Sequence, residues 1–321
     1  MTEEWNAIVR DEMGLAPMTK DQRAQELVEI ETEYVKPLSP LVVYHSPCLD
    51  GFTAAWAAWR VMPNAEFVPG VYGQAPPNCT GRDVYLLDFS YKRPVMEKIY
   101  HVANSITVLD HHKSAQADLE GFAGSDVRVV FDMEKSGARL AWEWFHPGKT
   151  VPQLVQHVED RDLWRFALPY SKEVNAALFS YEYNFLTWSR LSVEMERSSI
   201  DGSVGLDRFV SEGSAIERAH QKNVKELVGK LKHGRAFTRQ SPVYLVECAN
   251  LPYTCASDAA GLMAANNDVF AATYYQDADG QYVFSLRSRE TGLDVSVIAA
   301  QYGGGGHKHA AGFRVARLED L

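Results

Sequence analysis

Asp110-His111-His112 follows directly on Ile106-Thr107-Val108-Leu109, so a carboxylate and two imidazoles stand at the end of an apolar, β-branched run. Asp and His supply the oxygen and nitrogen donors that divalent metals take from proteins. The arrangement recurs twice. Leu41-Val42-Val43-Tyr44 ends in His45, with Asp50 close behind in Ser46-Pro47-Cys48-Leu49-Asp50-Gly51, and Val84-Tyr85-Leu86-Leu87 ends in Asp88. A fourth acidic segment, Glu159-Asp160-Arg161-Asp162, follows a helical stretch. One such ending is matched by an ordinary hydrogen-bonded His pair; three, with a further acidic turn, favour a metal centre. Several carboxylates with two or three imidazoles can hold two divalent ions roughly 4 Å apart, an arrangement suited to in-line displacement at phosphorus. A single structural zinc rarely needs so many carboxylates.

A second group lies near the C-terminus, in Tyr302-Gly303-Gly304-Gly305-Gly306-His307-Lys308-His309-Ala310-Ala311-Gly312-Phe313. Consecutive glycines can aim backbone N–H groups at an anion, with His307 and Lys308 adding charge. The plainer alternative is a flexible loop. Arg287-Ser288-Arg289 ends a predicted strand and offers a guanidinium fork for phosphate, or else exposed ion pairs.

The elements that must position these groups alternate. Strands are predicted at Leu41–His45, Val84–Asp88, Ser105–Asp110 and Val127–Phe131, with helices over Gly51–Met62, after Pro94, over Gly137–Phe145 and over Pro152–Glu159. This βαβ rhythm predicts an α/β fold with a doubly wound, mainly parallel sheet, whose strand ends converge on one crevice. Residues 170–240 read as mainly helical, with Val224, Leu227, Val228 and Leu231 on one face and lysines around them. Strands return at Val243–Val246, Val269–Tyr274 and Tyr282–Leu286, with helices over Asp258–Asn266 and Val295–Tyr302, predicting a smaller α/β C-terminal domain.

Composition narrows the function. The apolar fraction of 46% and charged fraction of 23% are those of a soluble globular chain. No run reaches the ~20 apolar residues of a spanning helix, and the acidic N-terminus has no signal-peptide pattern. The expectation is a cytoplasmic protein that does not bind membranes. The four cysteines show no C-x-x-C spacing, so neither a zinc knuckle nor a disulfide framework is expected. The net charge of −10 argues against coating long nucleic acid. Acids dominate residues 1–37 and bases dominate 217–239, which leaves room for a short anionic substrate.

Taken together these residues resemble the DHH phosphoesterase family with its DHH-associated C-terminal domain. The family's first motif carries a His and two Asp, its second an Asp, its third the DHH triplet, its fourth another Asp, and its C-terminal domain a GGGH-x-x-A-x-G ending. Here His45 and Asp50, then Asp88, then Asp110-His111-His112, then Gly304-Gly305-Gly306-His307 through Gly312 match in order. Residues 1–37, acidic and closed by Lys36-Pro37-Leu38-Ser39-Pro40, read as a helical extension with no counterpart in the family. The resemblance implies a catalytic domain over 38–205, a helical linker over 206–240 and a substrate-binding domain over 241–321, with the active site in the cleft between domains. It implies two divalent ions, with manganese expected first. His45 would bind one ion, Asp50 and His111 the other, and Asp88 would bridge them. The fourth-motif ligand would be Asp160, with Asp162 as the fallback. Asp110 would orient a neighbouring ligand, and His112 would face substrate as hydrogen-bond donor or general acid. Arg287, Ser288, Gly305, Gly306 and His307 would hold the substrate's phosphate or base.

One departure stands out: Cys48 occupies the position of the family's first Asp. A thiolate favours softer ions such as zinc or iron over manganese or magnesium. Three readings stay open: Cys48 is a ligand, it lines a site whose metal is held weakly by His45 and Asp88, or that position is often empty.

The implied activity is a metal-dependent phosphodiesterase acting on short oligonucleotides or linear or cyclic dinucleotides. The alternatives are a RecJ-like single-strand exonuclease and a nucleotide sensor whose catalysis has decayed. The family's inorganic pyrophosphatases are disfavoured because they lack the GGGH ending. A phosphatase activity on 3′-phosphoadenosine-type nucleotides is compatible as a side reaction, and a homodimer is compatible with the sequence.

Overall fold

The computed structural model describes residues 21–22, 38–197, 205–239 and 242–321. The acidic extension expected over 1–37 therefore lies outside the described residues, except for Asp21 and Gln22, which are helical.

The first lobe is built on five parallel strands, β1 (Leu41–His45), β2 (Glu66–Gly70), β3 (Asp83–Leu87), β4 (Ser105–Asp110) and β5 (Val127–Phe131), in the order β2-β1-β3-β4-β5. Its helices are α1 (Leu49–Trp59), α2 (Arg93–Tyr100), α3 (Lys113–Asp118), α4 (Gly137–Phe145), α5 (Gln153–Asp162), α6 (Ser171–Phe179) and α7 (Phe185–Glu196). Alternate strand residues feed opposite cores. Val42, Leu87 and Leu109 pack with α1 and α4–α7, while Leu41, Val43, Val84, Leu86, Ile106 and Val108 pack with Met96 and Ile99 of α2. Both faces are covered, which is why these strands read as unbroken apolar runs. The chain first runs from β1 to β2, then returns past β1 to β3. The direction of winding thus reverses between β1 and β3, the place where open α/β sheets form a crevice beyond their strand ends.

The 25-residue helix α8 (Asp207–Leu231) joins the lobes. Phe209 is part of the first lobe's core, whereas Val224 and Val228 pack against Ala259 and Met263 of the second. Near its start Gly213 lies against the Glu173 backbone, where a methyl group would overlap the carbonyl oxygen. Lys222, Lys225, Lys230 and Lys232 are exposed along it.

The second lobe is a six-stranded mixed sheet of β6 (His233–Phe237), β7 (Tyr244–Asn250), β8 (Ala271–Gln276), β9 (Tyr282–Arg287), β10 (Gly305–His307) and β11 (Ala310–Val315), ordered β10-β11-β9-β8-β7-β6. Only the β7–β8 pair is parallel. Helix α9 (Ala256–Ala264) and the end of α8 cover one face, α10 (Val295–Ala300) the other. Phe284 and Phe313 stack with centroids 4.9 Å apart, and Tyr302 lies on Phe313 at 4.3 Å.

Three strands differ from the sequence reading. β2 carries no strand signal in the sequence, since Pro69 and Gly70 interrupt it; it is an edge strand, where Pro is tolerated. β6 interrupts the expected helical run to residue 240, since it pairs antiparallel with β7. The glycine run, for which a loop was one alternative, contains strand β10, held against β11. Among the described residues no helix is long and apolar enough to cross a membrane.

Candidate metal centre and inter-lobe cleft

β1, β3 and β4 deliver His45, Asp88 and Asp110-His111-His112 to one end of the parallel sheet. Asp88 sits just past β3, its N–H donating to Leu109 O at 2.8 Å, and turns with a left-handed φ of 54°. Asp tolerates this region better than most residues. The turn sets the Asp88 carboxylate between two groups of donors. One oxygen lies 3.4 Å from His45 Nδ1; the other lies 3.1 Å from His111 Nε2 and 3.8 Å from His112 Nδ1.

His111 Nε2 also faces Asp162 Oδ2 at 3.4 Å and Asp50 Oδ2 at 3.8 Å. Asp50 lies in the first turn of α1, where the helix dipole favours a carboxylate. Its Oδ1 accepts from the Ala138 N–H at the start of α4, at 3.1 Å. Ser136 caps α4, its Oγ accepting from the Arg139 N–H. Gly137 then lets the helix end approach the carboxylates, since a methyl group there would overlap Asp88 Cβ.

Asp110 works locally. Its Oδ1 accepts from the backbone N–H groups of His111 (2.7 Å) and His112 (3.2 Å), and lies 2.7 Å from His112 Nδ1. The short Asp side chain folds back onto the chain that follows it, as Asx turns do. The imidazole of His112 is thereby held by one nitrogen.

Two carboxylate-containing donor groups result, His45–Asp88–His112 and Asp50–His111–Asp162, with ligand atoms of each within 4.8 Å of one another; His307 makes a third, all-imidazole group with His111 and His112. The fit to cations shows in what the side chains lack. Asp50 Oδ2, Asp162 Oδ2, Asp110 Oδ2, His45 Nδ1 and His111 Nδ1 are buried atoms with no hydrogen-bond partner among the described residues. Buried polar atoms are normally paired, so converging orphaned carboxylate oxygens mark a place for positive charge.

The electrostatics agree. Burial and repulsion from Asp162 and Asp88 push the Asp50 carboxyl well above its usual range. Burial likewise raises Asp162. Burial opposes charge on Asp88 too, but the hydrogen bond with His111 and the nearby imidazoles of His45 and His112 prevail and hold it far below the ordinary value. Burial disfavours the charged form of His111 as well, yet Asp88, Asp162 and Asp50 together lift it to about 10. His112 is raised against its burial by Asp110. For Cys48, burial leads and Asp88, Asp162 and Asp50 add to it, keeping the thiol protonated.

The two candidates for the fourth-motif position are placed differently. Both acids lie at the end of α5, but two helical positions differ by about 200° in direction. Asp160 points away and accepts from the backbone N–H groups of Ala167 (2.9 Å) and Leu168 (3.2 Å). Asp162, the fallback, is the one that meets His111. Cys48 caps the start of α1 and is close enough to feel the three carboxylates, but belongs to neither donor group.

The second lobe closes over these residues. His307 of β10 stacks on His112 with centroids 4.5 Å apart, and lies 4.6 Å from His111. The Gly306 N–H donates to Ser114 Oγ at 2.9 Å, and Lys113 Nζ meets Asp294 Oδ2 at 2.5 Å. A methyl group on Gly305 would overlap Ser114. Burial, with the charges of His112 and His111, depresses His307 to about 2, so it is a neutral ring. Arg287 lies in the second lobe, donating to Ser257 Oγ at 2.7 Å and Leu286 O at 2.8 Å. Ser288 is not brought to the cluster: its hydroxyl donates to Leu293 O and lies 2.9 Å from His309 Nδ1.

Sequence reasoning missed several neighbours. Tyr72, in the turn after β2, covers His45 with centroids 5.2 Å apart, and nothing in its surroundings signals that place. Ser136-Gly137 was legible only as a helix start. Ser114 carried no signal beyond its position after the DHH triplet.

The DHHA1 domain profile matches residues 244–321. Across most of its length the chain is similar to uncharacterized protein R106 of Acanthamoeba polyphaga mimivirus, with 28% identity over 306 residues, 87% of this chain and 68% of that protein. Among solved structures it is similar to a pGpG-specific phosphodiesterase, PggH from Vibrio cholerae, at 15% identity, covering 88% of this chain and 95% of that one with a TM-score of 0.43. RecJ from Thermus thermophilus gives 15% identity, 90% and 48% coverage and a TM-score of 0.35. These structural scores are too low to bear on activity. A DHHA1 domain thus occupies residues 244–321, behind the motifs of His45, Asp50, Asp88 and Asp110-His111-His112, which resemble those of DHH phosphoesterases.

Proposed function

We propose that the protein is a phosphodiesterase that uses two divalent cations to hydrolyse short oligonucleotides or dinucleotides in the cleft between its lobes. The observation that carries this reading is Asp88, one of whose oxygens faces His45 and the other His111, a member of the Asp50–His111–Asp162 group. His45 and Asp88, with Cys48 nearby, would hold one ion, and Asp50, His111 and Asp162 the other, with Asp88 shared. Bound there, the ions would polarise a phosphoryl oxygen and make water a stronger nucleophile. Manganese and magnesium suit the carboxylates, and zinc or iron would suit a site that also used Cys48.

The protein's own groups do the rest. Asp110 fixes the His112 ring through Nδ1, which leaves Nε2 for the substrate. The same pairing raises the His112 pKa and so increases its protonated fraction near neutral pH. A proton held there can pass to the leaving oxygen. His307, neutral and stacked on His112, would offer a hydrogen bond to phosphate without adding charge. Burial lowers Arg287 only to about 10, so it remains a cation for phosphate. Short substrates are favoured by the acidic chain and by the contacts of Lys113, Ser114, His111 and His112 with the second lobe, which enclose the donors.

The test is a turnover assay in manganese, magnesium or zinc with dinucleotides, cyclic dinucleotides, short oligomers and long single strands. Hydrolysis of the short substrates, abolished by Asp88→Asn, is expected. Preference for long strands, or binding without turnover in every metal, would overturn the reading.

A further inference from the structure

Of the three first-lobe imidazoles in the donor groups, only His45 makes no hydrogen bond among the described residues. Asp88 holds His111 at 3.1 Å and Asp110 holds His112 at 2.7 Å. An Asp88 oxygen lies 3.4 Å from His45 Nδ1, and that nitrogen is buried without a partner. A metal-ligating imidazole normally has its ring fixed by a hydrogen bond from its other nitrogen. Around His45 other rings take that place. Phe89 lies roughly parallel to it with centroids 6.3 Å apart, His112 stands edge-on at 5.7 Å, and Tyr72 tilts over it at 5.2 Å. Phe89 is fully buried, whereas Tyr72 is 43% exposed and belongs to neither core of the first lobe. The backbone brings Tyr72 there by a short route. Edge strand β2 ends with Gly70 opposite His45, and the Gly70 carbonyl accepts from the Ser46 N–H at 3.0 Å. The chain then turns at once: the Gln74 N–H donates to Val71 O at 3.1 Å, and Gly73 takes a positive φ of 89° that favours glycine at the third turn position. Tyr72 is the second residue of that turn.

We propose that Tyr72 is a positioning residue for the cation on the His45 side: its ring holds an imidazole that no hydrogen bond holds, and so sets the affinity of that cation. The proposal rests on the two-cation reading above. A ring fixed by packing gains none of the basicity that a hydrogen-bonded carboxylate confers on a ligating imidazole. The two cations therefore differ. The cation at Asp50, His111 and Asp162 meets two carboxylates besides the shared Asp88, and an imidazole oriented by Asp88. The cation at His45 and Asp88 meets fewer charges and depends on packing, so it is the weaker and leaves first. Without the Tyr72 ring the imidazole regains rotamer freedom, and binding a cation must then freeze it. The phenol oxygen of Tyr72 makes no hydrogen bond among the described residues, so the ring carries the role and not the hydroxyl.

The experiment is calorimetric titration of manganese into the chelator-stripped protein, with His45→Ala identifying which binding step belongs to the His45 side. Tyr72→Ala is expected to weaken that step by about tenfold or more, as loss of a group that orients a ligand does, and to leave the other step unchanged. Tyr72→Phe should restore it. Turnover of Tyr72→Ala should fall at limiting manganese and recover as manganese is raised. Because Tyr72 lies outside both cores, the variant should fold, and thermal unfolding in chelator checks that it does. Wild-type affinity for both cations in Tyr72→Ala would overturn the proposal, and so would equal weakening of both steps. A Tyr72→Phe variant that behaves like Tyr72→Ala would overturn it too. A wild-type protein that binds one manganese or none counts against the two-cation reading instead. In that event nuclear relaxation of the His45 imidazole carbons in the metal-free protein decides the role of Tyr72. A ring held in wild type and Tyr72→Phe but mobile in Tyr72→Ala supports it, and equal ring motion in all three overturns it.

Discussion

Gly137 stands where the lack of a side chain makes room for Asp88. A methyl group there would overlap Asp88 Cβ and come within 2.9 Å of Asp50 Oδ2. Gly137→Ala should therefore cost about 1–3 kcal/mol of stability, the usual range for overpacking. It should also displace both carboxylates and lower turnover by at least tenfold. Urea unfolding and the turnover assay check the two effects; an alanine variant with wild-type activity would show that helix α4 does not hold the carboxylates in place.

Asp160 and Asp162 should separate stability from metal binding. Asp160→Ala leaves two backbone N–H groups without their acceptor and should cost about 1–3 kcal/mol. Asp162→Asn removes a carboxylate that repels Asp50 and Asp88, so the metal-free variant should be no less stable than wild type. Its affinity for manganese should fall by about tenfold or more. Thermal unfolding in chelator, paired with calorimetric titration of manganese, reads both.

Metal binding should release protons. His111, held to about 10, is protonated at pH 7 in the metal-free protein, and a ligating imidazole must give that proton up. Manganese affinity should therefore rise with pH, and the heat of binding should depend on the ionisation heat of the buffer. A buffer-independent heat would place His111 outside the metal site. At a metal concentration of 100 times Kd, the ion should add about 2.7 kcal/mol to stability.

His220 should give stability a pH dependence of its own. Its hydrogen bond to Asp258 raises its pKa above the ordinary 6.5, so the folded protein holds this proton more tightly than the unfolded chain does. The contribution is complete below pH 6.5 and is lost as pH rises through the higher folded value. The stability difference between wild type and His220→Gln should therefore shrink from about pH 6 toward alkaline pH. A difference that grows with pH would contradict the pairing.

Cys48 carries the last prediction. Cys48→Ser should retain turnover in manganese, and Cys48→Asp should shift metal preference toward manganese, as a carboxylate replaces a soft donor. An unchanged metal profile in Cys48→Asp would mean that the thiol is not a ligand. In the metal-free protein Cys48 should alkylate slowly, because burial and three carboxylates disfavour the thiolate.

The strand ends were legible because their signal is local: an apolar run, then Asp or His. His45, Asp88 and Asp110 needed nothing else to be found. The distinction between Asp160 and Asp162 was not legible, since it depends on the phase of α5 against a sheet assembled from distant residues. β2 was hidden by Pro69 and Gly70, and Tyr72 with it. β6 was hidden because His233-Gly234-Arg235-Ala236-Phe237 continues a basic helical stretch without β-branched residues, and only pairing with β7 makes it a strand. Ser288 reads as a phosphate ligand beside Arg287, yet it follows the end of β9 and its hydroxyl bonds Leu293 O, while Arg287 bonds Ser257.

Lys113 and Ser114, which touch the second lobe, follow His112 without a break. One short segment would therefore carry the proposed cation donor and proton carrier together with the fastening of the opposite lobe. If that fastening breaks as the cleft opens, the donors ahead of it lose a restraint, and ions that stiffen the donors make closure easier. Substrate and cation would then each tighten the other's hold by the same factor, because a coupling free energy is reciprocal. In such a protein, release of the cleaved nucleotide and loosening of the cations are one event seen from two sides.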